Sequence, residues 1–308
     1  RCEESEEREA VAAERRPPPP LQRVTPMGGT LLRWGTRTHI MGVLNVTPDS
    51  FSDGGDHYDT AAAVAHALAL QEAGADLIDV GAQSTRPGAL LVPPEEELRR
   101  AAPVVEALVA SEALRVPLSV DTNSSVVARE LVARGAHCVN DVSGGTHDPH
   151  MLPTIAALGV PTVLMHMRGT PDTMSSLASY DDVVAEVRAE LLARLHAAED
   201  AGLPRWAIIS DPGIGFAKTA PHNLALLREL ARFGHDDLGY PMLLGVSRKA
   251  FIGKLLGDAP PRERVWGTAA ACALGIPHAD ILRVHDVREM REVAAVADGI
   301  VRTSVRTP

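Results

Sequence analysis

Arg283 and His285 stand two residues apart in the run DILRVH. On a strand, that spacing puts both side chains on one face. A cation pair projecting there suits an anion, and a phosphate group is a natural candidate. The same habit recurs along the chain. Short apolar runs are followed by Asn45, by Gln83 to Arg86, by Asp121, by Asn140 and Asp141, by His166, by Asp211, and by Ser247 to Lys249. One Asp or Asn after a strand is commonly a turn residue or a helix cap, and Asp141 and Asp286 read well that way. Repetition after nearly every run points instead to a single shared site.

Other chemistries lack their residues. The segment 211–218, DPGIGFAK, has a GxG after an apolar run. It lacks the third glycine and the ribose-binding acid of a dinucleotide fingerprint, so it reads as a tight strand-to-helix loop. There is no GxxxxGK[ST] phosphate loop and no HExxH pair of zinc ligands. Ser84 and Ser247 sit in no nucleophile-elbow context. Cys2, Cys138 and Cys272 are odd in number and far apart, which suits reduced thiols in an intracellular protein and excludes a disulfide scaffold.

The elements that must carry these residues alternate. Strand-like runs occur at 39–45, 76–81, 117–121, 137–141, 161–167, 207–211, 241–246 and 280–285. Between them lie helical patterns. Val183, Val187, Leu191 and Leu195 share one helix face, and Asp286 with Glu289 has capping-box spacing. Each interval is long enough for a helical crossover between parallel strands. Eight such units match a (β/α)8 TIM barrel, an α/β fold whose ligands bind at the carboxyl ends of the strands. A doubly wound open sheet is the alternative, because strand order is not visible in a sequence.

The chain has 308 residues, with 30 Lys+Arg against 40 Asp+Glu, a net charge of −10. That balance disfavours a nucleic-acid binder or a polybasic membrane-surface protein. No apolar run approaches the roughly 20 residues of a membrane-spanning helix. Residues 1–35 are charged and contain the polyproline run Pro17–Pro20, and read as a linker or disordered tail. A single barrel domain is expected over 36–302, with a short tail at 303–308.

Eight blocks carry a resemblance. Met41–Gly55 (MGVLNVTPDSFSDGG) resembles the opening motif of the dihydropteroate synthases. The likeness continues through 79–89 (DVGAQSTRPGA), 119–122 (SVDT), 139–145 (VNDVSGG), 164–169 (LMHMRG), 211–219 (DPGIGFAKT), 245–253 (GVSRKAFIG) and 283–287 (RVHDV). The blocks fall in the family's order over nearly the whole body. The resemblance implies a transferase of folate biosynthesis that joins 6-hydroxymethyl-7,8-dihydropterin diphosphate to 4-aminobenzoate and releases diphosphate. It also implies the family's barrel, which agrees with the count of eight.

The resemblance further implies roles. Asn45 matches a position that helps hold Mg2+, a hard cation suited to oxygen ligands. Arg283 and His285 match the diphosphate-binding pair, and Asp121, Asn140 and Asp211 match the pterin pocket. Asp211 is the carboxylate expected to take adjacent N–H donors of the pterin edge. Lys249 matches the lysine donating to the pterin ring, with a simple salt bridge as the alternative. Gly245 and Ser247 belong to the same substrate-binding block. Met165 packs on the heterocycle or simply fills the core. Thr85, Arg86, Pro87, Phe51, Phe216 and Lys218 match the region of the 4-aminobenzoate slot, and Arg86 suits either the carboxylate or the diphosphate. Lys249, Arg283, His285 and Asp211 are the four expected in catalysis. An aromatic amine is already neutral at pH 7, so leaving-group stabilisation rather than proton abstraction is the expected mechanism.

Partners are implied in the same way: the two small substrates, a second copy in a homodimer, and an upstream pyrophosphokinase domain for which the Pro-rich start would be the linker. The expected location is intracellular, in the cytoplasm or, for a eukaryotic member, a mitochondrion or plastid. Two departures occur, Ala250 after Lys249 and Thr170 after MHMRG. A corrinoid-type methyltransferase would share barrel and pterin pocket but leaves STRPGA, SRK and RVHD unexplained together. A silent binding protein would have lost Asn45, Asp211, Lys249 or Arg283, and all are present.

Overall fold

Two short strands at the start of the described chain, β1 (Val24–Met27) and β2 (Thr30–Arg33), pair antiparallel across Gly28 and Gly29. They belong to a computed structural model that describes residues 23–47, 59–86 and 88–302. Phe51 and Pro87 of the expected amine slot lie outside the described residues, as do 1–22 and the expected tail 303–308. The hairpin corrects the reading of 1–35 as linker. Its alternation of inward Met27 and Leu32, followed by Trp34, buries three large apolar side chains that composition alone had masked.

Eight parallel strands follow: β3 (His39–Asn45), β4 (Leu77–Gly81), β5 (Leu118–Asp121), β6 (Cys138–Asp141), β7 (Thr162–Met165), β8 (Ile208–Asp211), β9 (Leu243–Leu244) and β10 (Ile281–Val284). Their continuous apolar runs suit strands covered on both faces. The six strands β3 to β8 neighbour in chain order, β10 returns to pair with β3, and β9 pairs with β10. A parallel bridge between Ser210 and Met242 joins β8 to the β9 region. The ring therefore closes as a TIM barrel, and the open doubly wound sheet is excluded. Bounds agree with the sequence reading to within two residues, and β9 is the shortest at two.

Helices cover the ring: α1 (Thr60–Glu72), α2 (Pro94–Val109), α3 (Ser125–Ala133), α4 (Met151–Leu158), α5 (Val183–Asp200), α6 (Ala220–Arg228), α7 (Ala250–Leu255), α8 (Val265–Gly275) and α9 (Val287–Val301). Asp59, Ser124, Asp182 and Thr219 cap α1, α3, α5 and α6 through their side chains, satisfying amides that have no partner within the helix. Val183, Val187, Leu191 and Leu195 form the buried face of α5, as their spacing predicts. The capping box expected at Asp286 does not form. The carboxylate of Asp286 instead accepts from Arg248 Nε at 3.0 Å and from its Nη2.

The barrel is packed in layers rather than hollow. At the amino ends of the strands, Met27, Leu32 and Trp34 plug the opening against Met41, Leu77, Cys138, Val163, Ile209, Leu243 and Ile281. Between strands and helices lies the main apolar shell. At the carboxyl ends a smaller cluster of Val142, Met165, Met167, Met174 and Ala217 supports the half-buried Phe216.

Candidate active site

Register brings Asn45, Asp121 and Asn140 to one level, with Met165 and Asp211 two residues further along their strands. Asn45 lies opposite Gly81, Gly81 opposite Asp121, and Asp121 opposite Asn140. Met165 lies opposite Asp211. The sequence-predicted residues of β3, β5, β6, β7 and β8 thus form an arc around the carboxyl mouth.

Arg283 on β10 reaches across this mouth. Its Nε donates to Asp79 Oδ2 at 2.7 Å and its Nη2 to Asp121 Oδ2 at 2.7 Å. Asn140 Nδ2 donates to the same Asp79 oxygen at 2.8 Å. Burial opposes the arginine's charge, but the two carboxylates outweigh it and hold the guanidinium firmly protonated. Burial pushes Asp121 up, against the pull of Arg283. Asp79 Oδ1 is buried with no hydrogen-bond partner among the described residues.

Sequence reasoning missed Asp79, because it sits in the middle of β4 rather than at its end. The signal was there. A carboxylate inside the run LIDVG costs too much to bury unpaired, so an inward Asp at mid-strand calls for a cation on a facing strand.

His285 differs from the reading of a cation pair. Ser247 Oγ accepts the His285 amide at 3.2 Å and lies 2.9 Å from Nδ1. Between Ser247 Oγ and Nδ1 the imidazole tautomer decides which atom donates. Burial, with Arg283 and Arg248 nearby, pushes the ring down to about 4. At neutral pH it is an uncharged ring beside Arg283 and Arg248. Arg86, exposed on the loop after β4, is among the charges that act on it. Thr85 is half-buried on the same loop.

Asp211 ends β8, and its Oδ1 accepts the Gly213 amide at 2.7 Å. Burial pushes this carboxyl up, while Lys249 first and Lys218 after it pull it down. The loop that follows is tight for a stated reason. Gly213 has φ +68°, and a Cβ there would lie 1.9 Å from the His166 carbonyl oxygen, so only glycine lets β8's loop pass the end of β7. Lys249 Nζ donates to the Ile214 carbonyl and lies 4.5 Å from the centre of the Phe216 ring, a cation–π contact. Burial pushes Lys249 down to about 8, against the attraction of Asp211. Gly245 lies just before it on the β9 loop, where a Cβ would come 3.9 Å from Lys249 Nζ.

Lys218 occupies a different position from Lys249. Its Nζ donates to His166 Nδ1 at 2.9 Å, to the Phe216 carbonyl at 2.9 Å and to the His166 carbonyl at 3.3 Å. Arg194 of α5, also missed, donates to the Met165, Met167 and Ser143 carbonyls at 2.7, 2.6 and 3.3 Å. It ties the loops after β6 and β7 together. Asp141 keeps the structural role suggested above, accepting from Ser143 and Gly145 within its own loop.

No group of three or more His, Cys, Asp or Glu side chains among the described residues forms a metal cluster. Among them, too, no helix is long and apolar enough to cross a membrane.

The profile of the pterin binding enzymes matches residues 41–285. The chain is 48% identical over 286 residues to a dihydropteroate synthase of Synechocystis sp., covering 92% of this chain and 96% of that one. It is 43% identical to the mitochondrial folate synthesis bifunctional protein of Arabidopsis thaliana, covering 92% of this chain but 53% of that relative, about half its length. Among solved structures, the Xanthomonas albilineans dihydropteroate synthase with 4-aminobenzoic acid superposes with a TM-score of 0.82 at 47% identity, covering 90% and 98% of the two chains.

Proposed function

The chain belongs to the pterin-binding enzyme family, among the dihydropteroate synthases, and we propose from that premise how its residues divide the work. The reaction is the condensation of 6-hydroxymethyl-7,8-dihydropterin diphosphate with 4-aminobenzoate, giving 7,8-dihydropteroate and diphosphate. A C–O bond to the diphosphate breaks, the amine nitrogen bonds to the freed methylene carbon, and the nitrogen loses one proton. The rate then depends on neutralising the departing diphosphate and on holding two flat molecules in line.

One observation carries the residue reading: a guanidinium anchored by two buried carboxylates stands at the same barrel mouth as Asp211 and its lysines. Arg283 spends Nε and Nη2 on Asp79 and Asp121 and keeps Nη1 for a phosphate oxygen. His285 adds a neutral imidazole, and Arg86 supplies further positive charge from the β4 loop. Asp211 accepts the N–H edge of the pterin, with Asp121 and Asn140 along its flank and Met165 against its face. Lys249 donates to the pterin ring. The 4-aminobenzoate lies against Phe216, near Thr85.

A magnesium ion fits this reading in one way. Asn45 offers a neutral amide oxygen at the end of β3, and the nearby carboxylates Asp79 and Asp121 are engaged by Arg283. A hard cation would then be held chiefly by diphosphate oxygens and water, with Asn45 as the protein's contribution. It would supply charge neutralisation of the leaving group.

Two partner readings accompany the activity. Trp266 and Leu274 on α8 and Val296 and Ile300 on α9 are more than half exposed, and such an apolar face suits a second copy of the chain. The Arabidopsis relative, of which this chain covers 53%, is named as bifunctional, and an upstream pyrophosphokinase domain is the second partner proposed.

The test is a coupled assay for diphosphate release with pterin diphosphate, 4-aminobenzoate and Mg2+. Amine-dependent release is expected, and release no greater than without the amine would overturn the reading.

A further inference from the structure

Ala217 is a non-glycine residue in the left-handed region, with φ +49°, and it is buried at 3% exposure. An alanine holds such a conformation only when its surroundings impose it. Here both flanking carbonyls are tied down. The Phe216 carbonyl accepts from Lys218 Nζ at 2.9 Å, and the Ala217 carbonyl accepts from Tyr180 Oη at 3.0 Å.

Both ties lead back to the same arginine. Lys218 Nζ also lies 2.9 Å from His166 Nδ1 and 3.3 Å from the His166 carbonyl, and burial pushes this amine well below the ordinary lysine range. The ionised Glu190 can only accept, so His166 Nε2 carries the ring's proton and donates to Glu190 Oε2 at 3.0 Å, which leaves Nδ1 to accept from Lys218. His166 is wholly buried, and burial together with Lys218 pushes it down to about 3, so this arrangement persists across ordinary pH. Glu190 is held in turn by Arg168. Arg168 also donates to the Ser179 carbonyl at 2.7 Å, and its guanidinium carbon lies 4.0 Å from the centre of the Tyr180 ring. Arg168 thus steadies both arms, one through Tyr180 and one through Glu190, His166 and Lys218.

We propose that Tyr180 and the chain Glu190–His166–Lys218 are positioning residues for the amine substrate, bracing Ala217 in its left-handed turn so that the Phe216 ring faces Lys249. The proposal rests on the reading of Phe216 and Lys249 as the walls of the 4-aminobenzoate slot. It assigns work to α5 and to the segment before it. It also moves Lys218 from the slot wall to the support behind it.

The experiment is steady-state kinetics on Tyr180→Phe and Glu190→Gln, which alter one hydroxyl and one charge. Each is expected to raise KM for 4-aminobenzoate about tenfold, the cost of one lost hydrogen bond, with kcat reduced less. The Kd for pterin diphosphate is expected to stay within about twofold of the parent's, since Asp211 and Lys249 are untouched. Glycine adopts the turn unaided, so Tyr180→Phe/Ala217→Gly is expected to recover most of the lost KM. Unchanged KM in both single variants, or a double variant as impaired as Tyr180→Phe alone, overturns the brace. A parent enzyme without amine-dependent diphosphate release fails the reaction itself, which is a separate result.

Discussion

Lys249 Nζ lies 4.5 Å from the centre of the Phe216 ring, and each of the two residues borders a non-glycine residue of positive φ, Ala217 at +49° and Arg248 at +59°. The Arg248 turn is braced as well. Its amide donates to Thr268 Oγ1 at 3.0 Å, its carbonyl accepts from Arg264 at 2.8 Å, and its guanidinium engages Asp286. Two strained loops from neighbouring strands are therefore each pinned from behind and aimed at one another. Strain of this kind, of order 1–3 kcal/mol per residue, persists only because the surrounding packing imposes it.

The charge of Lys249 sets an alkaline limit. Burial, opposed by Asp211, holds it at about 8, against about 10.4 for a free lysine. Pterin affinity is expected to fall as pH rises through about 8, where the ammonium is lost. The stability effect has the opposite sign. Between those two values the unfolded chain keeps the proton that the native chain has released, so this group's contribution to stability rises with pH. Calorimetric binding from pH 7 to pH 10 checks the first effect and urea unfolding the second. Lys249→Arg is expected to remove the alkaline limb, because arginine stays charged.

Arg283→Met would leave the buried carboxylates of Asp79 and Asp121 without their shared cation. Breaking a buried pair from one side costs about 3–5 kcal/mol, and a loss in that range is expected in denaturant unfolding. Diphosphate release should fall with it. Full stability in the variant would mean that the carboxylates had simply taken up protons.

Gly213→Ala places a methyl group 1.9 Å from the His166 carbonyl at a φ of +68°. Backbone must move, at a cost above about 2 kcal/mol. Because Asp211 Oδ1 takes the Gly213 amide, pterin affinity is expected to drop alongside thermal stability. A variant that binds pterin as tightly as the parent would detach the carboxylate's position from this loop.

Trp34→Ala acts at the other end of the barrel. Trp34 is 5% exposed, donates from Nε1 to Thr25 Oγ1 at 3.1 Å and meets His39 edge-on. Truncating a buried Trp costs about 3–5 kcal/mol, so a clear fall in melting temperature is expected. KM for both substrates should stay unchanged at temperatures where the variant is folded.

The strands were legible in the sequence because a parallel barrel buries both of their faces, which leaves unbroken apolar runs such as 39–45 and 77–81. Their ends were legible because polar residues cluster where the ligand must be. The hairpin at 24–33 was hidden by the charged, Pro-rich stretch before it, since a four-residue strand with two inward residues makes almost no periodic signal. Asp79 is hidden because it lies inside the apolar run of β4, where no turn or loop residue marks it. Asp286 misled through its spacing: a carboxylate ahead of a helix can cap it or pair with a distant Arg248, and three-dimensional proximity decides between them. His166 stood out as polar, but its partners Glu190 and Lys218 come from elements 24 and 52 residues away, a distance no local pattern spans.

The closure of the ring is uneven, and that has a consequence for how the enzyme breathes. Between β8 and β9 the sheet is joined by one bridge at Ser210 and Met242, supported by the Ser210 amide and hydroxyl on Pro241. Every other neighbouring pair shares at least two residue partners in register. Opening fluctuations concentrate where backbone pairing is thinnest. The loosest stave of the barrel thus lies between the strand that ends in Asp211 and the strand that leads to Lys249, so amide protons along this seam should exchange with solvent sooner than those of β3 to β6, and the mouth can widen there without unfastening the rest.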